Sequence, residues 1–258
     1  MDIKQAKSNV IEAGRELVKN GLIQRTWGNV SCRIDENRFA ITPSGRDYLS
    51  LTEDDIVIVS IADLSYDGDI KPSSEKGIHA KCYELRRDVN FVIHTHQTYA
   101  SLAGLSGLDI NGLDGEAEKT IGLDIPVASY GLPGTKKLRN GVVAALRRSS
   151  SKAVLMLHHG ALCLGTDRAD AFAVAETLED VCRRRLIERY RQFTGKIADS
   201  FESLTSYIAN SIITEAAEDD LGVYNSVREF GIAELTDVKT GKKTPIDIES
   251  GAPLDPSE

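Results

Sequence analysis

Two apolar runs, Asn90-Phe-Val-Ile-His-Thr-His and Val154-Leu-Met-Leu-His-His, each end in histidines. Both read as buried β-strands, so the chain must build a sheet whose strand ends carry imidazoles. Four of the five histidines fall in these two clusters. Residues two apart on a strand project from one face, which lets His94 and His96 grip one ion together. A third histidine from another strand end would complete a three-imidazole site with open positions, the arrangement of a catalytic metal rather than a structural one. Alternation sends His158 and His159 to opposite sides of their strand, so one of them is the expected third ligand. Neutral imidazole suits Zn²⁺ first, and also Mn²⁺, Co²⁺ or Fe²⁺. His79 falls inside a predicted helix and reads as a surface or packing residue.

The 258 residues, 41% hydrophobic and 27% charged, are those of a soluble globular protein with one full core. A formal net charge of −8 argues against nonspecific nucleic-acid binding, which needs a basic surface. No apolar stretch approaches the roughly 20 residues of a membrane span. The opening Met-Asp-Ile-Lys-Gln-Ala-Lys lacks the apolar core of a signal peptide. Cys32, Cys82, Cys163 and Cys182 are scattered without a CxxC pair, and each reads as a small buried hydrophobe. That usage points to the reducing cytoplasm.

Apolar spacing predicts helices over Ile3 to Lys19, from Ser73-Ser74-Glu75 to Arg87, from near Gln97, over Thr135 to Arg148 and over Arg168 to Phe193. Strands are predicted over Val30 to Ile34, Phe39 to Thr42, Ile56 to Ile61 and Ile125 to Tyr130, besides the two histidine runs. Asp35-Glu-Asn-Arg is a hairpin turn, and Gly104 to Gly122 carries few regular signals. Residues Phe201 to Ala216 suggest one more helix, and the last ten or so residues read as loosely ordered. The class is α/β, with hairpin strands early and a mixed sheet. The expected organisation is one catalytic domain over residues 1–195 and a C-terminal extension over 196–258, helical and then loose.

Glu75 directly follows two serines at a helix N-terminus, where an ionised carboxylate is favoured. Taken alone, Ser-Ser-Glu is a helix start. Three segments carry anion-binding chemistry: Thr26-Trp27-Gly28-Asn29, Thr42-Pro43-Ser44-Gly45 and Ser73-Ser74. Each offers hydroxyls, an amide or backbone N–H groups, the last at a helix N-terminus. No P-loop or dinucleotide fingerprint is present, so nucleotide-dependent chemistry has no support.

Gly-Asn-Val-Ser, Thr-Pro-Ser-Gly, Pro-Ser-Ser-Glu, His-Thr-His and His-His-Gly, in this order, resemble the class II aldolase/adducin family. The resemblance runs from about Ile3 to Phe193. It implies a single domain with a central mixed, largely antiparallel sheet flanked by helices, and a cyclic homotetramer with active sites between subunits. It places the metal ligands on His94, His96 and His159, with His158 a neighbour. The catalytic carboxylate falls on Glu75 and the phosphate-binding positions on Gly28, Asn29, Ser44, Gly45, Ser73 and Ser74. Thr26 lies in the same loop. The implied activity is cleavage of a ketose 1-phosphate to dihydroxyacetone phosphate and an aldehyde, with one divalent metal per subunit stabilising an enediolate. Sugar-phosphate epimerases of the family typically carry aspartate where this chain has Glu75, which favours an aldolase. Methylthioribulose-phosphate dehydratases and sugar-acid-phosphate decarboxylases keep the same scaffold and stay open as alternatives. An adducin-like binding module need not keep the three histidines and the glutamate that stand here. Tyr130 is a weaker candidate for contact with the substrate carbon chain.

Overall fold

The computed structural model describes residues 1–23, 27–107, 109–198 and 200–208, with the backbone of 224–229, 232–237 and 243–246. Helix α1 (Ile3–Lys19) has the predicted bounds, and its buried stripe is Ala6, Val10, Ile11, Ala13, Gly14 and Leu17. Strands β1 (Asn29–Arg33) and β2 (Arg38–Ile41) form the expected hairpin. Its turn is closed by Asp35, which accepts from the Asn37 amide at 2.9 Å and from the Arg38 guanidinium at 2.7 Å. Next come β3 (Val57–Ser60), α2 (Lys76–Leu85), β4 (Phe91–Thr95), α3 (Thr98–Leu105), β5 (Ile110–Asn111), α4 (Gly115–Thr120), β6 (Asp124–Ile125) and β7 (Val127–Ala128). Helix α5 (Lys136–Arg148), β8 (Ala153–Met156), β9 (Gly160–Gly165) and α6 (Arg168–Thr194) follow.

Seven strands form one sheet in the order β3-β2-β1-β4-β9-β8-β7. Every pairing is antiparallel except β7 with β8, so the sheet is mixed and largely antiparallel. Side chains alternate between two apolar layers. Phe91, Ile93, Ala161, Cys163 and Leu155 join the layer with α1, α3 and α6. Val92, Leu162, Leu164, Val154 and Met156 join the layer with α2 and α5. Both faces are therefore covered, which is why the histidine strands show no polar alternation. All four cysteines are buried and unpaired. No described helix is long and apolar enough to cross a membrane.

Several elements depart from the sequence expectations. Strand β9 has no counterpart among the predicted strands: Gly-Ala-Leu-Cys-Leu-Gly lacks β-branched residues, and pairing with β4 and β8 on its two sides supplies what propensity does not. The run Ile125 to Tyr130 breaks at Pro126, which has no amide proton for a ladder. Its first half, β6, pairs with β5 and its second half, β7, pairs with β8. The region Gly104 to Gly122 holds the short β5 and α4. Residues 201–208 are helical, as expected, and the remainder of that predicted helix lies outside the described residues. The extension also contains an antiparallel three-stranded sheet, β10 (Tyr224–Glu229), β11 (Ile232–Asp237) and β12 (Lys243–Ile246), in a stretch whose polar composition reads as loose chain. The last ten residues lie outside the described ones.

Leu162 is fully buried on the central strand β9. Leu162→Ala should cost roughly 2–5 kcal/mol, by lost transfer energy plus a residual cavity. Urea unfolding should show a lowered midpoint at unchanged slope, whereas Arg147→Ala on the exposed side of α5 should leave the midpoint in place. An unshifted midpoint for Leu162→Ala would mean that this strand is not in the core.

Candidate active site

His94 lies near the end of β4, paired with Asn29 of β1 and Leu162 of β9. Alternation along β4 turns it toward the α2 layer, and Glu75 stands at the first turn of that helix. His96 follows directly beyond the strand, its amide bonded to the Leu22 carbonyl at 3.1 Å. His159 comes from the β8–β9 connection. That connection revises the alternation argument for the second cluster. Strand β8 ends at Met156, and His158 and His159 sit in the turn, closed by the His159 amide on the Met156 carbonyl at 3.0 Å. His158 takes a left-handed backbone conformation, φ +58°, which non-glycine residues adopt at some cost. The turn, rather than strand alternation, separates the two rings. His158 is exposed and meets the half-buried Tyr130 ring at 5.8 Å, while His159 points inward.

The Nε2 atom of His94 lies 3.0 Å from that of His159 and 3.0 Å from that of His96. His94 Nδ1 is 2.9 Å from the Ala161 carbonyl oxygen. A carbonyl only accepts, so Nδ1 carries the proton and a neutral His94 turns an Nε2 lone pair into the cluster. Burial pushes the His94 imidazole down in pKa, and burial together with the nearby His94 takes His96 down to about 3. Neutral imidazoles cannot all satisfy one another at these distances. One cation at about 2.0–2.1 Å from each nitrogen can. His94, His96 and His159 are the group of ligand-bearing side chains that could hold a metal ion among the described residues.

Glu75 closes the site. Its Oε2 lies 3.3 Å from His94 Nε2 and accepts from Asn29 Nδ2 at 2.9 Å. Its Oε1 lies 3.5 Å from His159 Nε2 and accepts no hydrogen bond among the described residues. Burial alone would raise this carboxyl, which is only 6% exposed. Imidazolium charge on the adjacent rings, where they are protonated, and the Asn29 hydrogen bond act against burial and lower it to about 2. An acceptor-only carboxylate with an open oxygen beside three converging imidazole nitrogens fits a divalent cation.

The three segments expected from the sequence to bind an anion meet at Thr42. Its hydroxyl accepts from the Val30 amide at 3.2 Å and its carbonyl accepts from the Ser73 amide at 3.0 Å, drawing Asn29, Ser44 and Ser73 into one neighbourhood. Gly28, at φ +119°, passes so close to β4 that a Cβ would fall 2.7 Å from the His94 carbonyl. Tyr48 fixes that loop from below by donating to the Gly28 carbonyl at 2.7 Å. Ser44, Gly45 and Ser74 are exposed, whereas Ser73 and Asn29 are buried. Ser73 Oγ accepts from the Glu75 amide at 3.2 Å, but α2 begins at Lys76 with Glu75 at its N-cap and no side-chain cap bond, so the expected serine cap of the first turn is not made. Thr26 lies outside the described residues.

Sequence reasoning missed Thr42 and Tyr48 as organisers of the cradle. His79, expected to be a surface or packing residue, is fully buried, and its hydrogen bonds to Asn29 and Ser31 were not foreseen. Its partners lie about fifty positions away, so no local pattern reveals them. Trp27 is exposed, with its ring 6.0 Å from that of His96.

The family model described as the class II aldolase and adducin N-terminal domain matches residues 8–186. A 5-deoxy-D-ribulose 1-phosphate aldolase of Bacillus thuringiensis serovar kurstaki is 29% identical over 180 residues, covering 69% of this chain and 83% of that protein. Among solved structures, an L-fuculose 1-phosphate aldolase matches with a TM-score of 0.67 at 28% identity, over 81% of this chain and 96% of that one. The L-fuculose-1-phosphate aldolase of Thermus thermophilus matches with a TM-score of 0.61 at 26% identity, over 75% and 98%. The chain belongs to the class II aldolase and adducin family, on its lyase side.

Gly160 tests the geometry. A Cβ there would run into the Thr95 carbonyl oxygen and lie 3.1 Å from the His94 ring. Gly160→Ala should push β9 off β4 beside His94 and lower metal content by roughly 10-fold or more, the scale of lost ligand support. Elemental analysis after dialysis reads this directly. Full metal content in folded Gly160→Ala protein would show that the strand spacing does not set the histidine positions.

Proposed function

We propose that the protein is a divalent-metal-dependent aldolase that reversibly cleaves a ketose 1-phosphate, of the L-fuculose 1-phosphate kind, to dihydroxyacetone phosphate and an aldehyde. The observation that carries this reading is the Glu75 carboxylate, buried, with an open Oε1 and within 3.3 to 3.5 Å of two imidazoles in the three-histidine cluster. The aldolase names of relatives at 26–29% identity agree with it.

His94, His96 and His159 would hold the ion, zinc first, with manganese, cobalt or iron as alternatives. When bound, the ion would supply Lewis-acid stabilisation of the negative charge that carbon–carbon cleavage leaves behind. The chain's own groups do the rest. Ser44, Gly45, Ser73 and Ser74, with Gly28 and Asn29, bind the phosphate through hydroxyls and backbone N–H groups. Asn29 accepts from His79 at Oδ1 and donates one amide proton to Glu75, which leaves its second amide proton for that role. In the condensation direction Glu75 Oε1 takes the proton from the hydroxymethyl carbon of dihydroxyacetone phosphate, and in cleavage it returns that proton to the same carbon. The reading extends to a homotetramer with sites between subunits and to the cytoplasm, in keeping with four unpaired buried thiols.

The test is a panel of ketose 1-phosphates and 5-phosphates, including L-fuculose 1-phosphate and 5-deoxy-D-ribulose 1-phosphate, followed for dihydroxyacetone phosphate. Release from 1-phosphates alone supports the aldolase. Isomerised product without cleavage, or loss of water or carbon dioxide, overturns it in favour of an epimerase, dehydratase or decarboxylase. Glu75→Gln should keep the metal and lose about 10²–10⁴ in kcat. His94→Ala and His159→Ala should lose the metal itself, and a metal-replete His94→Ala would remove that residue from the ligand set.

A further inference from the structure

Glu75, His79 and Tyr83 recur every four residues along α2, while Asn29 and Ser31 share one face of β1. The helix lies against the strand so that these five side chains interleave, all of them buried. The direction of each hydrogen bond follows from chemistry. A carboxylate only accepts, so Asn29 Nδ2 donates to Glu75 Oε2 at 2.9 Å. The other end of that amide is then the carbonyl Oδ1, and His79 Nε2 must carry the proton that reaches it. A neutral imidazole has one N–H, so His79 Nδ1 accepts from the Ser31 hydroxyl at 2.6 Å. The Ser31 proton is thereby committed, and Tyr83 donates to Ser31 Oγ at 2.7 Å. Burial keeps His79 neutral, with a pKa of about 3. The far end is anchored by Arg33, which stacks 4.6 Å from the Tyr83 ring centre and donates to the Tyr83 carbonyl at 2.9 Å.

We propose that His79 is a positioning residue for Glu75, the middle of a one-way hydrogen-bond chain running Tyr83–Ser31–His79–Asn29–Glu75. The proposal rests on the reading of Glu75 as the proton-transfer group and adds what holds it. The Asn29 amide has two orientations of nearly equal shape, and only one presents an N–H to the carboxylate. The His79 Nε2–H selects that orientation. With Oε2 tied to Asn29, Oε1 is the oxygen left open toward the histidine cluster. Four polar groups occupy a face of the core that apolar side chains would fill with fewer constraints. A chain satisfied at every link holds a unique arrangement.

His79→Phe keeps a ring of similar size and removes both bonds. The expected result is a kcat lowered about 10- to 100-fold, the usual scale for a supporting partner, with KM for the ketose phosphate and metal content unchanged. His79→Gln can again donate to Asn29 and accept from Ser31, and should recover most of that loss. Unchanged kcat in His79→Phe overturns the proposal, as does a loss that merely tracks metal content or folded fraction. A failure of His79→Gln to recover activity in folded, metal-replete protein also overturns it. Nitrogen-15 NMR of zinc-loaded wild-type protein is the independent measurement. His79 should be a neutral Nε2–H tautomer from pH 5 to pH 8, and an Nδ1–H tautomer or a titrating ring overturns the chain. Wild-type protein that cleaves no ketose phosphate would defeat the functional reading, and the NMR result would then judge the chain by itself.

Discussion

A carboxylate buried beside three imidazoles, two of which, His94 and His96, burial pushes down in pKa, is the constraint around which this structure is arranged. Removing an ion from water costs several kcal/mol even after relaxation, and neutral rings offer no compensating charge. The Asn29 amide supplies one hydrogen bond to Glu75, and Oε1 is left without one. His94 is locked by the Ala161 carbonyl with its lone pair facing inward. A divalent cation between the rings would resolve both deficits at once, giving the imidazole nitrogens a common acceptor and the carboxylate a positive neighbour.

The fold meets that constraint with strand ends and one helix start. Covering both sheet faces brings β4 deep into the core, so His94 ends up almost wholly inaccessible. Gly160 permits β9 to lie against β4 at the Thr95 carbonyl, which sets the distance from His94 to the turn carrying His159. The left-handed His158 reverses the chain within that turn. Strain of this kind persists where the surroundings over-determine it, and here it delivers an inward imidazole beside an outward one. Beside the histidine cluster, Thr42 ties the segments of Asn29, Ser44 and Ser73 together.

How much of this was legible in the sequence follows from how local each signal is. Helix α1 is bounded by an unbroken apolar stripe and an Asn-Gly stop, and its predicted limits hold. The His-Thr-His spacing and the Ser-Ser-Glu start are contiguous motifs, so their convergence could be anticipated from the family resemblance. Strand β9 was hidden because it has no β-branched residues and is bounded by glycines, and its stability comes from two neighbouring strands. His79 was hidden for a related reason. A histidine within an amphipathic helix looks like surface or packing polarity unless its partners are known, and Asn29 and Ser31 sit on β1, with two further strands intervening in the chain. The periodic clue was present in Glu75, His79 and Tyr83 at four-residue spacing, matched by Asn29 and Ser31 two apart. Reading it requires knowing that α2 packs on β1.

X-ray absorption at the zinc edge of protein loaded with one equivalent of Zn²⁺ tests the account most directly. Three imidazole nitrogens at about 2.0–2.1 Å, with the multiple scattering of ordered rings, are the predicted shell. His96→Ala should then show two. A shell of water and carboxylate oxygens with one imidazole or none would contradict the three-histidine centre, and with it the placement of Glu75 as the proton carrier beside the ion.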